Sequence, residues 1–127
     1  FAPGSTELTE HLAGAAGELA RVLENYPYTV VIQGHTDDHF RRTQLYPDAT
    51  ALSAARAEAV AAEMVRSSKI SPLQIQTAGL GASVPLETNE TADGRRSNRR
   101  IEIRIVSLSQ ERAAAARPAK QEAVFNG

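Results

Sequence analysis

Asp37 and Arg56 are the residues of this chain best placed to do chemistry. Asp37 follows Val30–Val31–Ile32–Gln33–Gly34–His35–Thr36, an apolar run that leaves a strand for a polar turn. Arg56 lies in Leu52–Ser53–Ala54–Ala55–Arg56–Ala57, the opening of an alanine-rich helix. A carboxylate accepts hydrogen bonds from an ammonium group. A guanidinium offers a planar fork to a carboxylate, a bidentate match that Lys does not reproduce. Held together at the mouths of two ordered elements, such a pair grips a zwitterion. A third segment, Gly94–Arg95–Arg96–Ser97–Asn98–Arg99–Arg100–Ile101–Glu102–Ile103, leads into a last strand and brings further guanidinium groups. This is a constellation for binding more readily than for catalysis. Ser53 has no His at a suggestive spacing, so no nucleophile and base are paired by the sequence.

Other chemistries meet the same residues with less support. His35, Asp37 and His39 alternate, and a strand continued through them would set three ligands on one side, as in a zinc or iron site. A metal-dependent hydrolase built on them is the enzymatic alternative. Residues 38–40 read as loop, however, and no second carboxylate cluster accompanies them. Arg95, Arg96, Arg99, Arg100 and Arg104 can contact phosphates, but the chain has a net charge of −1 and only 5% aromatic residues with which to stack bases. A nucleic-acid partner is not expected. Gly79–Leu80–Gly81 is no phosphate loop, because no Lys–Ser/Thr follows it and Pro85 interrupts the helix it would need. No cofactor and no resident metal are expected.

The elements that must position Asp37 and Arg56 can be read from periodicity. At 127 residues the chain fits one core. Without cysteine it has neither disulfides nor thiolate metal sites. No apolar run reaches the roughly 20 residues that span a bilayer. Ser5 or Thr6 can cap a first helix with Glu7 in its first turn. Leu8, Leu12, Ala15, Leu19, Val22, Leu23 and Tyr26 then recur at helical spacing until Pro27. Tyr28–Ile32 is β-branched and reads as a central strand. Residues 38–51 form a long polar loop around Tyr46–Pro47–Asp48, and Leu52–Ser67 a strong helix. Ile75, Thr77 and Gly79 mark a half-buried strand, and Asn89–Ser97 a second polar loop. Ile101, Ile103 and Ile105 alternate with Glu102 and Arg104 in a last strand. A truncated strand is expected to end at Phe1. The tail favours helix over 109–117, up to Pro118. Strands separated by helices give an α/β (α+β) two-layer sandwich, with helices on one side of a small mixed sheet.

In order along the chain, Phe1-x-x-Gly4–Ser5-x-x-Leu8, Gly34–His35–Thr36–Asp37, Leu52–Ser53-x-x-Arg56–Ala57-x-x-Val60 and Gly94–Arg95-x-x-Asn98–Arg99–Arg100–Ile101–Glu102–Ile103 resemble the motifs of the OmpA-like peptidoglycan-binding domain. The resemblance covers residues 1–106 and leaves 107–127 as a C-terminal extension, partly helical or disordered. It implies the OmpA-C-like sandwich and recognition of peptidoglycan through meso-diaminopimelate, whose free end carries an ammonium and a carboxylate on one carbon. Asp37 and Arg56 would then form the clamp, with Thr36 and Leu52 lining it and Asn98 and Arg100 supporting or touching the ligand. One of the two arginines at 99–100 is expected to be structural and the other to face the groove. The loop length before Leu52, with its Tyr46–Pro47 pair, is most similar to the MotB branch of flagellar stators. A type VI secretion component or an outer-membrane tether are the alternatives. The resemblance further implies a periplasmic domain of a diderm envelope protein, anchored to a membrane upstream of Phe1 and compatible with a homodimer. One position departs from the pattern: Ala49 stands where the family places Asn, which puts ligand affinity or loop geometry at issue.

Overall fold

In the computed structural model, residues 1, 5–39, 45–107 and 121–126 are described. The element order is α1 (Glu10–Leu23), β1 (Tyr28–His35), α2 (Ala49–Ser67), a 3-10 turn at Pro72–Gln74, β2 (Ile75–Gly79), α3 (Ala92–Asn98), β3 (Arg100–Ser107) and β4 (Gln121–Asn126). The strands form one mixed sheet in the order β2-β1-β3-β4. β1 is central, parallel to β2 and antiparallel to β3, and β4 runs antiparallel to β3 at the edge. The α+β two-layer sandwich expected from the sequence is the fold observed.

The core lies between the helices and one sheet face. Leu12, Ala16, Ala20 and Leu23 of α1 meet Ala57, Val60 and Met64 of α2 and Val30, Ile32, Ile101 and Ile103 of the sheet. Two glycines let α2 lie directly on the strands. A Cβ on Gly34 would sit 2.1 Å from the carbonyl oxygen of Ser53, and one on Gly79 would sit 2.4 Å from the amide nitrogen of Ala54. Those separations are inside van der Waals contact, so no other residue fits without moving the helix. The same close approach carries Arg56, one turn along α2, toward the end of β1.

Several expectations are corrected by the elements observed. α1 begins at Glu10 rather than near Ser5, because Thr9 accepts the amide of Leu12 as N-cap. Its packed face uses small residues, whereas Val22 and Tyr26 are exposed. Pairing carries β1 on to His35. Within the stretch Asn89–Ser97, read as loop, the short helix α3 (Ala92–Asn98) begins, because Thr91 caps it on the amide of Gly94 and Arg95 reaches back to the carbonyl of Asn89. Phe1 belongs to no strand; the sheet position beside β3 is taken instead by β4 from the tail. Its six residues, Gln121–Asn126, show no clean alternation and are too short to stand out by themselves. The helix expected over 109–117 lies outside the described residues.

Candidate functional site

Asp37 is buried just beyond the end of β1, with 9% of its side chain exposed. Its Oδ1 accepts the amide of His39 at 2.8 Å, which closes the turn, and its Oδ2 accepts from Nη1 of Arg99 at 2.5 Å. An ionised carboxylate has about four acceptor positions, so capacity remains for a further donor. Arg56 is also buried. Its Nε donates to the carbonyl of Ser5 at 2.9 Å, and its guanidinium lies 5.0 Å over the ring of Phe1, a cation–π contact. Residues 1 and 5 thus form a wall behind this side chain. Burial, foremost, and the nearby Arg99 push the Arg56 guanidinium below its ordinary range, while Asp37 and Tyr46 pull it back up. Asp37, Arg56, Arg99 and Tyr46 therefore share one electrostatic field.

The remaining expected residues divide between the site and its supports. Thr36 donates its amide to the carbonyl of Gly81, and its buried hydroxyl has no hydrogen-bond partner among the described residues. Leu52 is buried in the first turn of α2. Beside it, Ser53 donates to the carbonyl of Thr50 and accepts the amide of Gly81 at 3.0 Å. That hydroxyl ties α2 to the turn that also holds Thr36. Asn98 is completely buried; its Oδ1 accepts the amides of Leu86 and Glu87, and its Nδ2 donates to the carbonyl of Glu87 and to Oδ1 of Asn89. It braces the 82–91 loop.

Arg100 points to the opposite side of the sheet from the helices. It donates to the carbonyls of Asn98 and Val84 and to Oε2 of Glu102. Arg99 is the arginine that reaches Asp37 and remains partly exposed. Of the two adjacent arginines, Arg100 is held by groups on that face and Arg99 pairs with Asp37. Strand alternation already contained that answer. Ile101 and Ile103 face the helices, so Arg100 must point to the other face, and Arg99, outside the strand, is not bound by that alternation.

His35, Asp37 and His39 are not brought together. Nε2 of His35 lies 2.6 Å from Oε2 of Glu102, and His39 is exposed beside Asp38. Among the described residues no group of three potential ligands could hold a metal ion. The metallohydrolase alternative thus loses its ligand set, because the strand ends at His35 and the chain turns. Around Ala49, Asp48 accepts the amide of Ala51 at 2.7 Å as N-cap of α2, so this carboxylate is committed to the helix end.

The domain is thus a two-layer sandwich with a buried carboxylate and two guanidinium groups at the exit of β1. Residues 1–99 match the OmpA family, and the chain belongs to that family. It is 34% identical over 109 residues to the probable lipoprotein YiaD of Escherichia coli, covering 85% of this chain and 48% of the relative. It is 28% identical over 107 residues to motility protein B of Bacillus subtilis, covering 84% and 41%. The chain thus spans less than half the length of these relatives. Among solved structures, the cell wall anchor of the type VI secretion system from Pseudomonas aeruginosa superposes with a TM-score of 0.73 at 30% identity, covering 84% of this chain and 73% of that one. The C-terminal domain of Helicobacter pylori MotB superposes with a TM-score of 0.77 over 90% and 87% at 19% identity, a likeness of fold.

Proposed function

We propose that this domain binds peptidoglycan non-covalently and anchors a larger envelope protein to the cell wall from the periplasmic side. Its ligand in this reading is the zwitterionic end of the diaminopimelate in the stem peptide. The carrying observation is the placement of Asp37 and Arg56, both buried, in one electrostatic field at the end of the central strand. Asp37 takes the ligand ammonium on its remaining lone pairs. Arg56 takes the carboxylate, with Arg99 close enough to add positive charge. The amide-rich end of α2 favours the same anion. The hydroxyl of Thr36, which has no partner among the described residues, supplies one more donor or acceptor to the ligand.

Two or three charge-assisted hydrogen bonds contribute about 1.5–3 kcal/mol each. Less the cost of immobilising a flexible peptide, they give an affinity of roughly micromolar to millimolar. That suffices for an anchor, because the wall is a polymer and repeated sites add avidity.

A flagellar stator-like parent is the first reading, supported by the relationship to motility protein B. The likeness to the type VI cell wall anchor favours a secretion-system parent as the second. Co-sedimentation with isolated peptidoglycan tests the binding. The wild type pellets with the wall, whereas Asp37→Ala and Arg56→Ala stay in the supernatant with unchanged circular dichroism. Wild-type sedimentation of both variants would remove the clamp from this reading.

A further inference from the structure

Beneath the clamp lies a group of buried charges that the binding reading does not use. His35 is the last residue of β1 and Arg100 the first of β3, and the two are paired in register. Gly34 and its register partner Ile101 face α2 and the core, so His35 and Arg100 occupy the other face of the sheet. Glu102, next on that face of β3, is also buried. A single oxygen of its carboxylate, Oε2, meets both Nε2 of His35 at 2.6 Å and Nη2 of Arg100 at 3.2 Å. Arg100 in turn holds the carbonyls of Val84 and Asn98. One carboxylate thereby fastens the end of β1, the start of β3 and the 82–91 loop. Asp37 lies two residues beyond His35, and Arg99 one residue before Arg100. These are the two members of the ion pair in the clamp.

We propose that Glu102 is a positioning residue for peptidoglycan binding: by holding His35 and Arg100 on one carboxylate oxygen, it fixes the two strand ends that carry Asp37 and Arg99. This inference rests on the binding function proposed above. Among the described residues of β1 and β3, the charged or titratable groups on this face are His35, Arg100, Glu102 and Arg104. β2 contributes only Gln76 and Ala78 there, and Glu122 of β4 is the register partner of Arg104. Removing the charge of Glu102 while keeping an acceptor oxygen leaves Arg100 uncompensated. Protonation of His35 then adds a second positive charge at the same place, and the two strand ends repel one another.

The test compares sedimentation of wild type and Glu102→Gln with isolated peptidoglycan across the range in which an imidazole takes up a proton. The ratio of variant to wild-type dissociation constants rises about tenfold between about pH 8 and about pH 5.5. In the double variant His35→Gln/Glu102→Gln that ratio no longer changes with pH. Parallel pH profiles for Glu102→Gln and wild type would overturn the positioning role alone. Absence of wild-type binding at every pH would overturn the reading beneath it. Should Glu102→Gln fail to fold, Glu102→Asp carries the test: it keeps the charge on a shorter arm and weakens binding by the same factor at every pH. Wild-type affinity in that variant would overturn the proposal.

Discussion

The proposed clamp and the Asn98 brace are both polar and adjoin in sequence at Asn98 and Arg99, just before β3, yet they are opposite in kind. Asn98 has no exposed surface, and both atoms of its amide are engaged, in four hydrogen bonds. The proposed clamp sets one carboxylate against two guanidinium groups, leaves Arg99 partly exposed, and contains a threonine hydroxyl without a partner among the described residues. A polar cluster that saturates itself specifies shape. One that leaves charge and hydrogen-bonding capacity over is prepared for something else to complete it.

Substitutions that separate the two kinds of region test that contrast, and the largest effect belongs to the scaffold they share. Gly34→Ala places a methyl group against the Ser53 carbonyl and lowers unfolding stability by about 3 kcal/mol or more in urea titrations. Peptidoglycan binding is lost with it, since α2 carries Arg56. Asn98→Ala comes next. It strands the amides of Leu86 and Glu87 and lowers stability by about 2–3 kcal/mol, read from the denaturation midpoint. Stability unchanged in that variant would deny the brace its role.

Arg99→Gln reverses the pattern. The Arg99 side chain is 35% exposed, so the chain loses at most about 1 kcal/mol of stability, while binding to the wall weakens several-fold as Asp37 loses its orientation. If denaturation moves more than sedimentation, Arg99 belongs with the brace. The smallest change is a gain: Ala49→Asn adds an amide at the start of α2 and tightens binding of a diaminopimelate-containing peptide by about twofold to threefold, equivalent to a fraction of a hydrogen bond. Titration calorimetry reads that shift, and unchanged affinity means that the loop is built around other contacts.

Much of this contrast was legible in the sequence. Residue types and element order placed Asp37 and Arg56 at the mouths of a strand and a helix, and the family resemblance implied that they share a pocket. Arg99 was harder, because two adjacent arginines look alike until the pairing of β3 fixes which one enters the strand. The helix α3 was hidden for a different reason. Its seven residues, Ala92–Asn98, include Gly94, Ser97 and Asn98, and owe their helicity to the Thr91 cap and to Arg95 rather than to propensity. β4 was missed because it follows an alanine-rich stretch and owes its order to pairing with β3, a contact distant in sequence. The buried neighbours of Glu102 were missed because strand alternation marks the face opposite the core as charged without saying that a loop covers it.

The central position of β1 has a mechanical consequence. Asp37 leaves that strand just past its end, and β1 is bonded on one side to β2 and on the other to β3. Tension drawn from a ligand on Asp37 along the strand axis loads both ladders in shear, so their hydrogen bonds resist together rather than opening one after another. Edge strand β4 lies outside this line of force, bonded to β3 alone. In the proposed anchoring role, a ligand held at the end of this interior strand would thus pull on a strand supported from both sides.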